Sequence, residues 1–156
     1  MRAAIVFILL LGVCFAQAPT PPSNWIGAGA AYTAGGQPPI AGWASYAVLV
    51  SGKAGLYSFS SYDLTVTKTK PYAVQTSART GMALVIRTIG PLTILGLGDA
   101  GMAQAPTALT SAFSGGGIGV YRIGKTAWTI ELAVRRLKTP INGSANAYEF
   151  GTGRTF

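Results

Sequence analysis

The chain has 156 residues, a net charge of +8 and charged side chains at only 10% of its positions. Soluble domains carry charge at about a quarter of their positions, so these charges are too few to cover a surface that faces water. The basic residues are scattered apart from Arg135, Arg136 and Lys138, and we expect no nucleic-acid partner. The lack of histidine argues against Ser-His-Asp and Cys-His catalysis and against most transition-metal sites.

Residues 1–16 have the order of a secretory signal peptide. Arg2 provides the basic region, Ala3–Val13 is almost entirely apolar, and small residues follow at Ala16 and Ala18. This apolar run is shorter than the about 20 residues that a membrane-spanning helix needs. We predict cleavage after Ala16, because cleavage after Ala18 would place Pro19 beside the scissile bond. An uncleaved amino-terminal anchor is the alternative.

Cys14, the only cysteine, lies within this segment. The preceding residues Leu11-Gly12-Val13 loosely resemble a lipoprotein signal, but the bulky Val13 does not fit the position before the modified cysteine. We therefore predict that residues 17–156 form a single domain without a disulfide.

Beyond residue 18 no apolar stretch is long enough for a transmembrane helix, and glycine and proline are frequent. What recurs is alternation of apolar and polar residues with a period of two, which indicates β-strands with two different faces. Eight strands are predicted, near residues 24–34, 41–50, 55–67, 72–87, 92–101, 112–123, 127–137 and 145–156.

The alternation is clearest in the third, fourth and seventh predicted strands. One face of each strand is mainly apolar, as in Met82-x-Leu84-x-Ile86 and in Ile130-x-Leu132-x-Val134. The opposite faces carry the polar residues Asp63, Gln75, Arg79, Arg87, Glu131 and Arg135.

The predicted connections alternate in kind. Polar or proline-containing loops at 35–39, 68–71, 103–111 and 139–144 alternate with tight turns at 51–54, 88–91 and 124–126. An up-and-down meander with its loops at one end has this order. A strand that crosses a membrane needs about 9–11 residues, and lipid does not tolerate an open sheet edge. We therefore predict an all-β, up-and-down antiparallel eight-stranded transmembrane β-barrel.

A soluble secreted barrel of the lipocalin type, binding a small apolar ligand, would show the same alternation and is the alternative. The shortage of charge and the mid-strand position of the acids favour the membrane barrel. Buried carboxylates need partners, and arginines on the same faces could provide them. The predicted lumenal charge network consists of Asp63, Arg79, Arg122, Glu131, Arg135 and Glu149.

Aromatic residues tend to fall near the ends of the predicted strands. In membrane barrels such residues form girdles at the two lipid–water interfaces. The predicted girdle consists of Trp25, Trp43, Tyr121, Trp128, Tyr148 and Phe156.

Three segments resemble the small outer-membrane barrels of the outer-membrane-protein-A and opacity type. They are the hairpin Gly117–Trp128, the opening Trp25–Tyr32 and the terminal Phe156. The resemblance covers residues 17–156. It implies export to the outer membrane of a bacterium with two membranes and contact with outer-membrane lipid.

The resemblance also implies a partner for the last strand. In that family, a carboxy-terminal aromatic residue with apolar residues at alternating positions is the signal for the barrel assembly machinery. Phe156, Phe150 and Tyr148 fit this signal, whereas Arg154 and Thr152 depart from it.

Small barrel enzymes that modify lipopolysaccharide also resemble this fold, but they rely on a histidine that this chain lacks. We therefore expect a non-enzymatic protein without a cofactor or metal, with a structural, anchoring or loop-display role. Eight strands enclose an interior that side chains can fill, so we expect a plugged barrel rather than an open porin.

Overall fold

The computed structural model describes residues 23–34, 40–66, 74–105, 108–139 and 143–156. Eight antiparallel strands pair in sequence order, and pairing of the first with the last closes a barrel. The strands are β1 (Trp25–Ala34), β2 (Ile40–Ser51), β3 (Leu56–Val66), β4 (Val74–Ile89), β5 (Leu92–Ala105), β6 (Ala108–Arg122), β7 (Trp128–Thr139) and β8 (Gly143–Thr155). The predicted fold class is confirmed.

Several predictions fall on residues outside the described ranges. These are the signal peptide at 1–16 with both cleavage sites, the loops at 35–39 and 68–71, and residues 140–142 of the loop at 139–144. Across the described ranges, no helix is long and apolar enough to cross a membrane.

One end of the barrel carries the three tight turns and is called the turn end; the opposite end is called the loop end. The turns at Gly90 (φ 56°) and Gly124 (φ 55°) use the left-handed conformation that glycine adopts without strain. The amide N–H groups of Arg122 and Phe156 donate to the carbonyl oxygens of Pro91 and Asn24, each at 2.9 Å, so strand ends and chain terminus are tied together here.

Strands β5 and β6 extend into the predicted loop at 103–111. Gln104 pairs with Leu109, and Ala105 pairs with Ala108. The alternation continues through this region, because Met102 and Leu109 face outward while Ala103 and Ala112 face the interior. Alanine contributes little contrast between faces, so the sequence pattern alone ended β5 too early and began β6 too late.

A β-bulge between Val85 and Arg87 reverses the two faces of β4 near the turn end. Arg87 therefore pairs with the outward-facing Ile94, and Thr88 pairs with the buried Thr93. The prediction placed Arg87 on the inward face with Arg79; this was wrong, because one extra residue in a strand shifts every later side chain to the other face.

The outer surface of the barrel is mainly apolar and the interior holds the carboxylates. Large hydrophobic side chains are exposed around the whole circumference, among them Ile26, Met82, Leu84, Met102, Leu132 and Phe150. All four acidic residues of the chain, by contrast, are buried inside. This distribution is the reverse of that in a water-soluble barrel.

Candidate functional site

A layer of charged and hydroxyl side chains crosses the middle of the barrel interior, and we call it the charged layer. Each of six consecutive strands, β3 to β8, contributes at least one buried side chain to it. Its members are Ser61, Asp63, Ser77, Arg79, Asp99, Ser114, Arg135 and Glu149.

Arg135 lies at the centre of the charged layer, with its side chain 1% exposed. Its guanidinium forms ion pairs with Glu149, with Asp63 at 3.1 Å and with Asp99 at 3.4 Å, and its Nε donates to Glu149 Oε1 at 2.8 Å. It also donates to Ser61 Oγ at 3.1 Å. One side chain from β7 thus connects β3, β5 and β8 across the lumen.

Arg79 provides the second positive charge. It pairs with Asp63, and its Nε lies 3.2 Å from Asp99 Oδ1. Ser77 donates to Asp63 at 2.9 Å and Ser61 donates to Asp99 at 2.8 Å. Charge-assisted hydrogen bonds of this kind satisfy the buried carboxylates and hold the strands in register.

Glu131 is fully buried, but it lies outside the charged layer and nearer the turn end. Its carboxylate accepts hydrogen bonds from Thr129 at 3.4 Å and Ser45 at 3.5 Å. Within the described residues no arginine or lysine forms an ion pair with it. Glycines at 27 and 153 make room for the carboxylate, because a Cβ at either position would overlap it.

Apolar side chains fill the interior between the charged layer and the turn end, and we call this region the turn-side core. Its members are Trp25, Ala47, Tyr57, Phe59, Ala83, Leu95, Leu97, Ile118, Val120 and Ala133. The rings of Trp25 and Tyr57 meet edge to face with centroids 4.7 Å apart. The lumen is therefore closed by packing at one level and by ion pairs at the next.

Comparison with known proteins yields matches in structure but not in sequence. No family model and no curated protein matches the chain. Neisserial surface protein A has a TM-score of 0.62 and 12% identity, with 85% of this chain and 97% of that chain covered. The fold is that of a small outer-membrane β-barrel.

Two further structures show the same likeness. The Yersinia pestis outer membrane protein Ail in a phospholipid bilayer nanodisc has a TM-score of 0.57 and 13% identity, with 86% of this chain and 99% of that chain covered. A structure from the de novo design of transmembrane β-barrels has a TM-score of 0.58 and 10% identity, with 90% and 100% covered. At these identities the likeness establishes the fold alone.

The structure brings together four of the six residues predicted for the lumenal charge network: Asp63, Arg79, Arg135 and Glu149. Glu131 is inside the barrel but separate from them. Arg122 is exposed, and this part of the prediction was wrong. Its register partner Thr129 faces the interior, yet Arg122 is the last residue of β6, so its side chain folds over the turn and donates to Thr126 O at 3.0 Å.

The predicted aromatic girdle divides into two groups. Tyr121, Trp128, Tyr148 and Phe156 are exposed on the outer surface. Trp25 and Trp43 are buried in the interior, with 0% and 4% of their surface exposed, so their assignment to the girdle was wrong. Residues on both faces of β1 and β2 are small or apolar, and alternation there does not tell inside from outside.

Asp99 belongs to the charged layer and was missed by sequence analysis. The inward face of β5 reads Thr93, Leu95, Leu97 and Asp99, so apolar residues of the turn-side core precede the acid on the same face. A usable signal was present, since Asp99 was the one remaining acid of the chain and lay within a predicted strand.

Hydrogen bonds and ion pairs cross-link the side chains of this interior. Hydroxyl groups donate to carboxylates and guanidiniums bridge them, but no imidazole or thiol is available in residues 17–156 to activate a nucleophile. Among the described residues, no three potential ligands are grouped to hold a metal ion.

Proposed function

We propose that the protein is a non-enzymatic barrel of the outer membrane that anchors itself in lipid and holds its loops at the cell surface. The observation that carries the proposal is the distribution of side chains, with apolar residues around the outside and every carboxylate within. A hydrocarbon environment favours this arrangement and water does not.

The alternative of a soluble ligand carrier is less well supported. A lipocalin-like barrel would need an apolar cavity for its ligand. Here the turn-side core and the charged layer fill successive levels of the lumen, and Arg135, the centre of the layer, is 1% exposed.

Export through a signal peptide at 1–16 and assembly through β8 are parts of the same proposal. Tyr148 and Phe150 on the outward face of β8 and Phe156 just beyond its end are all exposed, so the assembly machinery could contact them. Short turns at one end and the remaining connections at the other suggest that the turn end faces the periplasm.

Membrane fractionation of cells that express the full chain tests the proposal. We expect the protein in the outer-membrane fraction, and extraction should require detergent. Without boiling, its gel mobility should differ from that of the boiled sample, because the closed hydrogen-bonded barrel resists detergent until heated. Release with the soluble periplasmic contents would contradict the proposal.

Planar-bilayer recording separates an anchor from a channel. Because side chains fill the interior of a barrel of this size, we expect no steady open conductance from the purified protein. Large, reproducible conductance that disappears after heat unfolding would show that the lumen is open.

A further inference from the structure

A groove of about 520 Å³ runs over the outer surface of β8, β1, β2 and β3, with Trp128 of β7 at its margin. Its floor is a row of small outward-facing residues, Thr152, Ala28 and Ala44, which are register partners on three neighbouring strands. On the same three strands the next outward-facing side chains, Phe150, Ile26 and Tyr46, are large and about half exposed. The small residues therefore leave a depression between these larger side chains.

Aromatic side chains form the walls of this groove. Tyr46, Tyr62 and Trp128 line it and are each exposed by about half of their surface. The ring of Tyr46 stacks on Phe156 with centroids 6.1 Å apart and an interplanar angle of 16°. The wall near the turn end is thus held in place by packing.

The groove offers an occupant few polar partners. The hydroxyl of Ser60, which lines it, is already hydrogen-bonded to Thr80 at 3.3 Å on the neighbouring strand. An extended peptide placed here would leave its backbone groups unpaired in hydrocarbon, whereas an acyl chain has no such groups. The lining therefore favours an acyl chain.

Arg154 provides a positive charge at the margin of the groove. It faces outward between its register partners Ile26 and Trp128, two residues before Phe156 at the turn end. No ion pair to Arg154 forms within the described residues. The four carboxylate side chains of the chain are all inside the barrel, so none can neutralise Arg154 from the outer surface.

We propose that the groove holds an acyl chain of an anionic glycerophospholipid of the periplasmic leaflet, and that Arg154 binds its phosphate. This inference rests on the proposed membrane function. Arginine can extend its charged end along an apolar surface to the headgroup level, and guanidinium matches phosphate in geometry and charge. The groove accommodates the acyl chain, and the guanidinium of Arg154 pairs with the phosphate of the headgroup.

A second copy of the chain fits this face less well. A symmetric dimer places the same patch on both partners. Both patches would then carry Arg154 and no acidic side chain, and the like charges of the two arginines would repel.

The position of the three tryptophans allows a direct test. Trp25 and Trp43 are buried inside the barrel, whereas Trp128 is 55% exposed on the groove wall. Phospholipids with brominated acyl chains quench tryptophan that they contact. The full mature chain would be folded into phosphatidylcholine vesicles that contain a small fraction of brominated phosphatidylglycerol, or the same fraction of brominated phosphatidylcholine.

We expect brominated phosphatidylglycerol to quench Trp128 with a relative association constant about fivefold above that of brominated phosphatidylcholine, the effect of one basic side chain at an anionic surface. Arg154→Gln should reduce the ratio to near one, and Arg154→Lys should retain most of it. Ala44→Phe, which fills the floor, should also lower it.

Two variants control for charge and bulk elsewhere. Lys125→Gln removes an exposed turn charge outside the groove, and Ala100→Phe adds the same bulk to an outward alanine on β5. Both should keep the wild-type ratio, and heat-dependent gel mobility would check that each variant is folded.

The outcomes separate this site from the proposed function. Equal quenching by the two brominated lipids, or equal loss in the groove and control variants, would overturn the site alone. A dimer that cross-links through Ala44→Cys and excludes both lipids would show that a second copy occupies the face. No quenching of Trp128 by either lipid in a protein that forms no such cross-link would overturn the membrane function, and the site with it.

Discussion

Glu131 and Arg135 lie four residues apart on the inward face of β7, yet they belong to regions that are stabilised in different ways. Arg135 joins three carboxylates in the charged layer. Among the described residues, Glu131 beside the turn-side core accepts hydrogen bonds from two hydroxyl groups and occupies the space left by two glycines. Burial alone therefore does not make a carboxylate part of an ion-pair network. The partners of a buried side chain depend on how far along the strand from the turn end it lies.

Of the substitutions considered, Arg135→Met should lower the free energy of unfolding the most. It removes one of two arginines and leaves Asp63, Asp99 and Glu149 to share Arg79, and breaking a buried pair in this way costs about 3–5 kcal/mol. We expect a lower free energy of unfolding in urea titrations of the protein in lipid vesicles. The matched control is Arg136→Met, since Arg136 is the exposed neighbour. Similar losses for both variants would contradict the central role of Arg135.

Glu149→Gln should cause the next largest loss in the free energy of unfolding. The substitution keeps the size of the side chain but removes the charge that pairs with Arg135. Hydrogen bonds to charged groups contribute about 1.5–3 kcal/mol, and we expect a loss of that order because Asp63 and Asp99 continue to bind Arg135. Measured in the same titration, an unchanged free energy of unfolding would place the stability of the layer in the aspartates.

Gly27→Ala tests how the turn-side region accommodates Glu131. The new Cβ would overlap the Glu131 carboxylate, and overpacking of this kind costs about 1–3 kcal/mol. Gly98→Ala, where the added Cβ meets nothing within 4 Å, should cost less.

The cause can be isolated in a double-mutant cycle. In a Glu131→Ala background, Gly27→Ala should lose most of its penalty because the overlapping group has gone. A penalty that persists unchanged would mean that Gly27 is needed for its backbone rather than for the space it leaves.

Glu131→Gln should change the free energy of unfolding the least. The amide oxygen can still accept from Thr129 and Ser45, and the substitution removes a carboxylate that forms no ion pair within the part of the chain that the structure describes. We expect a change within about 1 kcal/mol, the net value of one ordinary hydrogen bond. A loss as large as that of Glu149→Gln would show that Glu131 is paired after all, and the contrast between the two regions would disappear.

Sequence analysis predicted the fold because β3, β4 and β7 have one apolar and one polar face. In β7, Trp128, Leu132 and Val134 are exposed, while Glu131 and Arg135 are buried, as predicted. The same contrast located Asp63 and Arg79. Where the contrast between faces is strong, a period of two is enough to assign the inward residues.

The failures occur where that contrast is weak or its phase changes. Trp43 lies on a strand whose other face is also apolar or small, and its burial and its packing against Ala31 show that it points inward. The bulge in β4 moved Arg87 to the outside, and the pattern gives no sign of an extra residue. Arg122 pairs with the inward-facing Thr129, as the alternation predicts, but it lies at the turn end of β6. Its side chain can therefore turn out of the lumen there.

The pairing of β1 with β8 has a consequence for how this barrel assembles. Every other ladder joins strands that follow each other in the chain, whereas this one pairs Trp25 with Thr155. Consecutive hairpins close short loops, but the entropy cost of closure rises with the length of chain between the partners. We therefore expect the β1–β8 seam to form last during folding, and lateral opening of the folded barrel to begin there.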